Sequence, residues 1–117
     1  WFSRWTREDW RCTFFIETGV FKDVLLAPQV ANFTQDADGN YAVPTGSGNG
    51  WYTYERINNV INPISGKVFI TRTVEGHYAK MEILSYYKDL DSPNPANGRF
   101  YTFNYVYNPN LGDKSLE

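Results

Sequence analysis

The stretch GKVFITRTVEGHYAKMEILSYY, residues 66–87, predicts two β-strands joined by a turn at Glu75 and Gly76. Before the turn, β-branched and aromatic residues fill both alternating sets of positions, which is typical of a strand at least half buried on both faces. After it, Tyr78, Lys80 and their neighbours alternate with the period of a strand that has one wetter face. Gly76 supplies the positive φ that a tight hairpin turn favours. We therefore expect this hairpin to form the centre of a sheet.

Further strands are predicted on both sides of the hairpin. Residues 100–107 place aromatic rings at alternating positions, and residues 51–57 also have strand character. Residues 12–16 and 20–27 predict another hairpin. Residues 28–50 are predicted to be a long loop or a loop enclosing one short strand near residues 41–43, and residues 58–65 a linker. Residues 88–98 are predicted to be a polar connection, and residues 108–117 a fraying tail. The pattern predicts an all-β fold, an antiparallel sandwich or curled sheet with hairpins and long loops.

Length, charge and cysteine content narrow the class of protein. A chain of 117 residues, 18% of them aromatic, fits a single all-β domain over residues 1–117. Its net charge of −2 provides no basic excess to hold a phosphate backbone, so no nucleic-acid partner is expected. No apolar run approaches the roughly 20 residues of a membrane helix, so no transmembrane segment is expected. The single cysteine, Cys12, is interpreted as a buried small hydrophobe.

Sequence patterns for catalysis and metal binding are weak. His77 is the only histidine, and no serine lies in a Gly-x-Ser-x-Gly context. No pair among the 13 carboxylates is singled out by its spacing. The run Asp36-x-Asp38-Gly39-Asn40 resembles the start of a calcium loop but lacks the downstream glutamate, so it is predicted to be a solvated turn. We therefore expect neither an enzyme nor a metal site.

A set of motifs in the C-terminal half resembles a known family. They are Trp51-Tyr52-x-Tyr54, Pro63, Thr71-Arg72-Thr73, Glu75-Gly76, Tyr78-Ala79-Lys80, Ser85-Tyr86-Tyr87 and Tyr101-Thr102-Phe103-Asn104-Tyr105-Val106-Tyr107. Over residues 51–109 they resemble the C-terminal signature of the HmuY-like family, whose best-studied members are haem-binding lipoproteins associated with the outer membrane. The resemblance implies an exported protein, outer-membrane-associated or extracellular, with a longer N-terminal part. The chain is then expected to be a truncated or divergent member.

The resemblance also implies haem capture without catalysis. Family members hold haem through histidine or methionine, both of which are ligands of haem iron. The position where relatives often carry a histidine, five residues after Tyr54, holds Asn59 here. The haem-binding candidates are therefore His77 and Met81, and the alternative is that they are a surface side chain and a core side chain. They lie about 13 Å apart along one face of a strand, too far to be the two axial ligands of one iron.

A second hypothesis is a binding module for another ligand. Trp51, Tyr54 and Asn59 are its candidate ligand-binding residues, because aromatic rings stack on sugars, porphyrins and protein partners. The wider aromatic set comprises Trp51, Tyr52, Tyr54, Tyr86, Tyr87, Tyr101, Tyr105 and Tyr107. The alternative is that most of these rings are core residues or cross-strand pairs. The sequence leaves both hypotheses open, a haem-binding domain and a glycan- or protein-binding surface module without haem.

Overall fold

The structure of the chain is a computed structural model that describes residues 13–36, 40–91 and 94–117. Within these ranges there are six strands: β1 (Thr13–Thr18), β2 (Tyr52–Glu55), β3 (Val60–Pro63), β4 (Lys67–Arg72), β5 (Tyr78–Tyr87) and β6 (Gly98–Asn108). The helical segments among the described residues are 3₁₀ turns at Phe21–Asp23, Val30–Asn32, Lys88–Leu90 and Pro95–Asn97. None of these is long and apolar enough to cross a membrane.

The strands form two antiparallel sheets. One has four strands in the order β1-β4-β5-β6, and the other pairs β2 with β3. The prediction of an all-β fold built on hairpins is therefore confirmed.

The predicted hairpin at residues 66–87 lies at the centre of the larger sheet, as β4 and β5. Its register pairs Phe69 with Met81, and the turn places Gly76 at a φ of 94°. Val68 and Phe69 point to opposite faces and are 0% and 5% exposed, so β4 is buried on both sides as expected. The wetter face predicted for β5 is wrong at Lys80, which is only 3% exposed.

The hydrophobic core lies on one face of the larger sheet. Val68 and Ile70 contribute from β4, and the covering residues come from irregular segments before β2 and after β6. The buried cluster consists of Val24, Ala27, Phe33, Val68, Ile70, Tyr78 and Leu116. The strand predicted at residues 20–27 is absent. Val24 and Ala27 are buried three positions apart while Leu25 and Leu26 between them are exposed, which is not the alternation of a strand.

The C-terminal tail is part of this core, contrary to the prediction that it frays. Leu116 is 0% exposed, and its N–H donates to the Leu25 carbonyl at 2.8 Å. The Asn108 side chain donates to the carbonyls of Asp113 and Ser115 at 3.2 and 2.9 Å. These bonds fold the tail back across the sheet, so a buried leucine and three backbone carbonyls hold a segment that has no periodicity of its own.

Two other segments differ from expectation or lie beyond the described ranges. The linker predicted at residues 58–65 contains β3, in which Pro63 pairs with Tyr52 at the end of the strand. A proline is tolerated there because it interrupts no interior ladder. Cys12, interpreted as a buried hydrophobe, lies outside the described residues. So do residues 37–39, which include most of the calcium-like run.

Candidate functional site

A cleft lies where the two sheets meet, between the β2–β3 sheet, the end of β5 and the start of β6. Its volume is about 480 Å³, within the range of small-molecule sites. The rings of Tyr54, Tyr86 and Tyr87 line it, together with the polar side chains of Asn59 and Arg99. We call this feature the aromatic cleft.

The hairpin of β2 and β3 places Tyr54 and Asn59 at the cleft. Tyr54 pairs with Ile61 across the hairpin, and Asn59 occupies the connecting turn with a φ of 57°. Asparagine tolerates this left-handed conformation better than most residues. The Tyr54 hydroxyl donates to Asn59 Oδ1 at 2.6 Å. That bond uses the amide oxygen of Asn59, so its amide nitrogen remains available to donate to a ligand.

A bulge in β5 brings Tyr86 and Tyr87 to the junction of the sheets. The register with β6 shifts on either side of Ser85, and the Ser85 hydroxyl accepts the Tyr87 N–H at 3.0 Å. Bulges commonly re-aim side chains next to binding sites. Tyr87 is 3% exposed, and its hydroxyl oxygen accepts the Ile61 N–H of β3 at 2.9 Å. This bond ties the small sheet to the larger one at the floor of the cleft.

Arg99 supplies the positive charge of the cleft. Its side chain is exposed and has no hydrogen-bond or ion-pair partner among the described residues. Its backbone has a φ of 72°, which costs a residue other than glycine about 1–2 kcal/mol. Asp89 and Leu90, just after Tyr87, also have positive φ values of 55° and 60°. Strained backbone of this kind clusters at functional sites.

An aromatic cluster supports the cleft from the side. The ring centroid of Tyr86 lies 6.2 Å from that of Trp51 and 5.3 Å from that of Tyr101. Trp51 and Tyr101 are themselves 5.7 Å apart in an edge arrangement, a geometry that stabilises aromatic pairs beyond their buried area. Burial, and then the neighbouring Tyr86, raise the pKa of the Tyr101 hydroxyl above its usual value. The ring of Tyr86 is therefore packed against two other rings.

The three candidates Trp51, Tyr54 and Asn59 lie at the same end of the molecule. Tyr54 and Asn59 line the cleft, and Trp51 stands behind it, packed on Tyr86. Their role in binding stays a prediction. The sequence pattern does not single out Arg99. The available signal is that Arg99 is the only basic residue between Lys88 and Lys114.

The haem-binding candidates His77 and Met81 lie elsewhere. His77 precedes β5, and nine strand positions separate it from Tyr86, which is about 30 Å. Its side chain is 17% exposed, less than expected beside a turn, and Nε2 lies 3.9 Å from the Glu75 carboxylate. Nδ1 is buried and has no hydrogen-bond partner among the described residues. Met81 is half-buried between its strand partners Phe69 and Tyr105.

The cleft brings together several groups that can contact a ligand. Within the described ranges, no group of three His, Cys, Asp or Glu side chains is placed to hold a metal ion. What the cleft offers is flat aromatic surface, amide and hydroxyl groups, and one cation. These groups suit a planar or ring-shaped ligand that carries an acidic or hydroxyl group. Comparisons of the chain with protein-family models, with curated proteins and with solved structures find no match.

Proposed function

We propose that this chain is a non-catalytic ligand-binding domain whose ligand occupies the aromatic cleft, and that haem or a related porphyrin is the leading ligand. The HmuY-like resemblance of residues 51–109 motivates the choice of haem. The observation that supports the proposal is the unpaired Arg99 beside the rings of Tyr54 and Tyr86, in a cleft of about 480 Å³.

The residues of the cleft fit a porphyrin in two respects. The tyrosine rings offer flat apolar surface for the macrocycle, and Arg99 can pair with a propionate carboxylate. Tyrosine oxygen is also an accepted axial ligand of haem iron. The Tyr86 hydroxyl has no hydrogen-bond partner among the described residues, so it is the ligand candidate within the cleft. The residues lining the cleft include no histidine or methionine, so His-Met ligation is not expected there.

A haemin titration followed by absorption spectroscopy tests this proposal. We expect a saturable Soret band that weakens in Tyr86→Phe and Arg99→Ala. Tyr41→Phe is the matched control, because Tyr41 is 56% exposed and lies outside the cleft. A band that is lost in His77→Ala but kept in Tyr86→Phe would indicate that haem binds at the opposite end of β5 and not in the aromatic cleft. Absence of a saturable band would contradict haem as the ligand.

A glycan is the second candidate ligand. It is favoured by the hydrogen-bonded pair of Tyr54 and Asn59, which places an amide beside aromatic rings as in sites that stack sugars. Arg99 would add a preference for an acidic sugar. A glycan array followed by calorimetry tests this candidate. Binding that is lost in Asn59→Ala and Arg99→Ala, in a chain that gives no Soret band, would favour it over haem.

On the basis of the resemblance we also propose that the domain acts outside the cell, as an outer-membrane-associated or released protein. Proteinase treatment of intact cells that make the full-length protein tests this part of the proposal. Digestion without cell lysis is the expected result. Protection until the cells are lysed would contradict it.

A further inference from the structure

The strand β6 has an unprotected edge. It lies last in the order β1-β4-β5-β6 and pairs with β5 on one side. Within the described residues, the backbone groups of residues 99–107 make no hydrogen bond outside that pairing. The strand is 11 residues long, and its segment FYTFNYVY, residues 100–107, contains neither a charged residue nor a proline. These are the features of an edge that accepts another strand.

The opposite edge of the same sheet, strand β1, is partly covered by another segment of the chain. There, Phe14 of β1 exchanges two backbone hydrogen bonds of 2.9 Å each with Thr34, which covers the edge at that position. Natural sheets protect their edges by such coverings, by charges, by prolines or by bulges. The bulge near Ser85 affects the start of β6, whereas residues 103–108 pair with β5 in unbroken register. The regular half of β6 is therefore the accessible half.

The edge also carries a row of exposed aromatic rings. Tyr101, Phe103, Tyr105 and Tyr107 alternate along β6, and their exposed fractions are 51%, 46%, 66% and 48%. Phe103, Tyr105 and Tyr107 lie on the face opposite the core, beside the odd-numbered residues of β5. Tyr101 lies beyond the bulge, where its ring packs on that of Tyr86. Any strand that paired with β6 in phase would set its own side chains against this row.

We propose that a second copy of this chain pairs with β6 across a two-fold axis, so that two four-stranded sheets form one continuous sheet. The sequence of β6 is complementary to itself. Its antiparallel pairing with a copy places odd-numbered residues opposite odd-numbered residues, so rings meet rings on one face. Asn104 and Thr102 meet uncharged partners on the other face. A net charge of −2 adds little repulsion between the copies.

The available area sets the strength expected of this dimer. Fully buried aromatic side chains contribute about 150–250 Å² each, so four half-exposed rings leave roughly 400 Å² on each chain. Two chains could bury about 800 Å² through these rings, to which the strand backbones add. Specific interfaces begin at about 1,200 Å² and weak ones lie below. The expected assembly is therefore a reversible dimer whose population depends on concentration.

Sedimentation equilibrium of the chain between about 1 μM and about 1 mM tests the proposal. We expect a monomer–dimer equilibrium that Tyr105→Lys weakens about tenfold or more, because the change places a charge in the paired edge. Tyr105 is 66% exposed, so the variant should keep the monomer fold, which circular dichroism checks. Ile57→Lys is the matched control, since Ile57 is 89% exposed at the tip of the smaller sheet.

Amide hydrogen exchange at low and high concentration separates edge pairing from other contacts. In the proposed dimer, the β6 amides that point away from β5 become protected as concentration rises. A monomer throughout the concentration range would overturn the proposal. So would a dimer in which those amides exchange freely, or one that Tyr105→Lys leaves unchanged.

Discussion

Lys80 shows how one side chain can hold an irregular segment on a sheet. Its ammonium group donates to the carbonyls of Phe21 and Val24 at 2.6 and 2.8 Å and lies 4.4 Å from the centre of the Phe21 ring. Residues 21–24 have no strand partner, so these contacts replace the backbone hydrogen bonds that a neighbouring strand would provide. Burial lowers the pKa of Lys80, and the nearby carboxylates of Glu82 and Asp23 partly offset this effect.

Replacing Lys80 with methionine should destabilise the fold and alter its pH dependence. The change leaves the Val24 carbonyl without a donor and the Phe21 carbonyl with only the Val24 N–H at 3.3 Å, at a cost of about 1–3 kcal/mol in the free energy of unfolding. Because the pKa of Lys80 is lower in the folded state, the unfolded chain binds the proton more tightly. The stability of the unmodified protein should therefore rise as pH increases from the folded pKa towards 10.5. Lys80→Met should lack this rise.

Urea unfolding at several alkaline pH values measures both effects. Lys22→Met is the matched control, because Lys22 is exposed in the same segment. Equal stability of Lys80→Met and Lys22→Met would show that the two carbonyl contacts contribute nothing.

Gly76 is a second residue that the fold constrains, because the turn leaves little room for a Cβ atom there. Its φ is 94°, and an added Cβ would lie 3.3 Å from Leu111 Cδ1. Gly76→Ala should therefore cost about 1–2 kcal/mol through left-handed strain, increased by the crowding. Gly19→Ala is the control, because its φ is not positive and nothing lies within 4 Å of the new atom. Thermal unfolding of the two variants should separate them, and indistinguishable midpoints would contradict this account of the turn.

At the scale of elements, the sequence predicts those strands whose side chains alternate strongly. The sequence predicts the hairpin of β4 and β5 and the aromatic strand β6 because β-branched and aromatic residues recur there with period two. The strand β3 was missed because Val60–Pro63 is four residues long and contains Asn62 and Pro63, which are typical of a linker. Long-range pairing with β2 overrides that local preference.

The sequence does not predict the packing of the C-terminal tail, for a different reason. Leu116 is the single residue after Asn108 that is both apolar and buried, so no periodicity marks the segment. Its place in the core depends on two backbone bonds to residues far away in sequence, from the Leu116 N–H to the Leu25 carbonyl and from the Ala27 N–H to the Lys114 carbonyl. Composition alone therefore predicts a fraying end where the structure has a covering layer.

Two leucines of the tail give a direct test of this element. Leu116 is 0% exposed and Leu111 is 71% exposed. Leu116→Ala should reduce the free energy of unfolding by about 2–5 kcal/mol, as expected for a truncated core leucine. Leu111→Ala should change it by less than about 0.5 kcal/mol. Chemical denaturation measures both values, and a tail that frays would make the two substitutions equally harmless.

At the scale of the whole molecule, the cleft combines predictable and unpredictable parts. Tyr54 and Asn59 are five residues apart, so the sequence can place them in one hairpin. Their meeting with Tyr86, Tyr87 and Arg99 depends on how the two sheets dock. The bulge near Ser85 precedes Tyr87, which bonds the smaller sheet, and the residues of the bulge have no local signature. The composition of the cleft therefore follows from tertiary packing.

The docking of the sheets also predicts unequal stability across the molecule. A two-stranded sheet is marginal by itself, and β2–β3 is held by the bond from the Ile61 N–H to Tyr87 and by the rings around Trp51. Amides of β2 and β3 should therefore exchange faster than those of β4 and β5, by opening that leaves the larger sheet intact. Tyr87→Phe removes the acceptor and should lower the free energy of that opening by about 1 kcal/mol.

Native-state hydrogen exchange measures this difference, with Tyr41→Phe as a control outside the junction. A ligand in the aromatic cleft contacts both sheets, so it should slow exchange in β2–β3 selectively, by mass action on the closed form. Uniform protection of all six strands would mean that the sheets unfold as one unit. In that case β2–β3 would not open independently at the bond to Tyr87. Ligand binding would then protect the whole molecule equally.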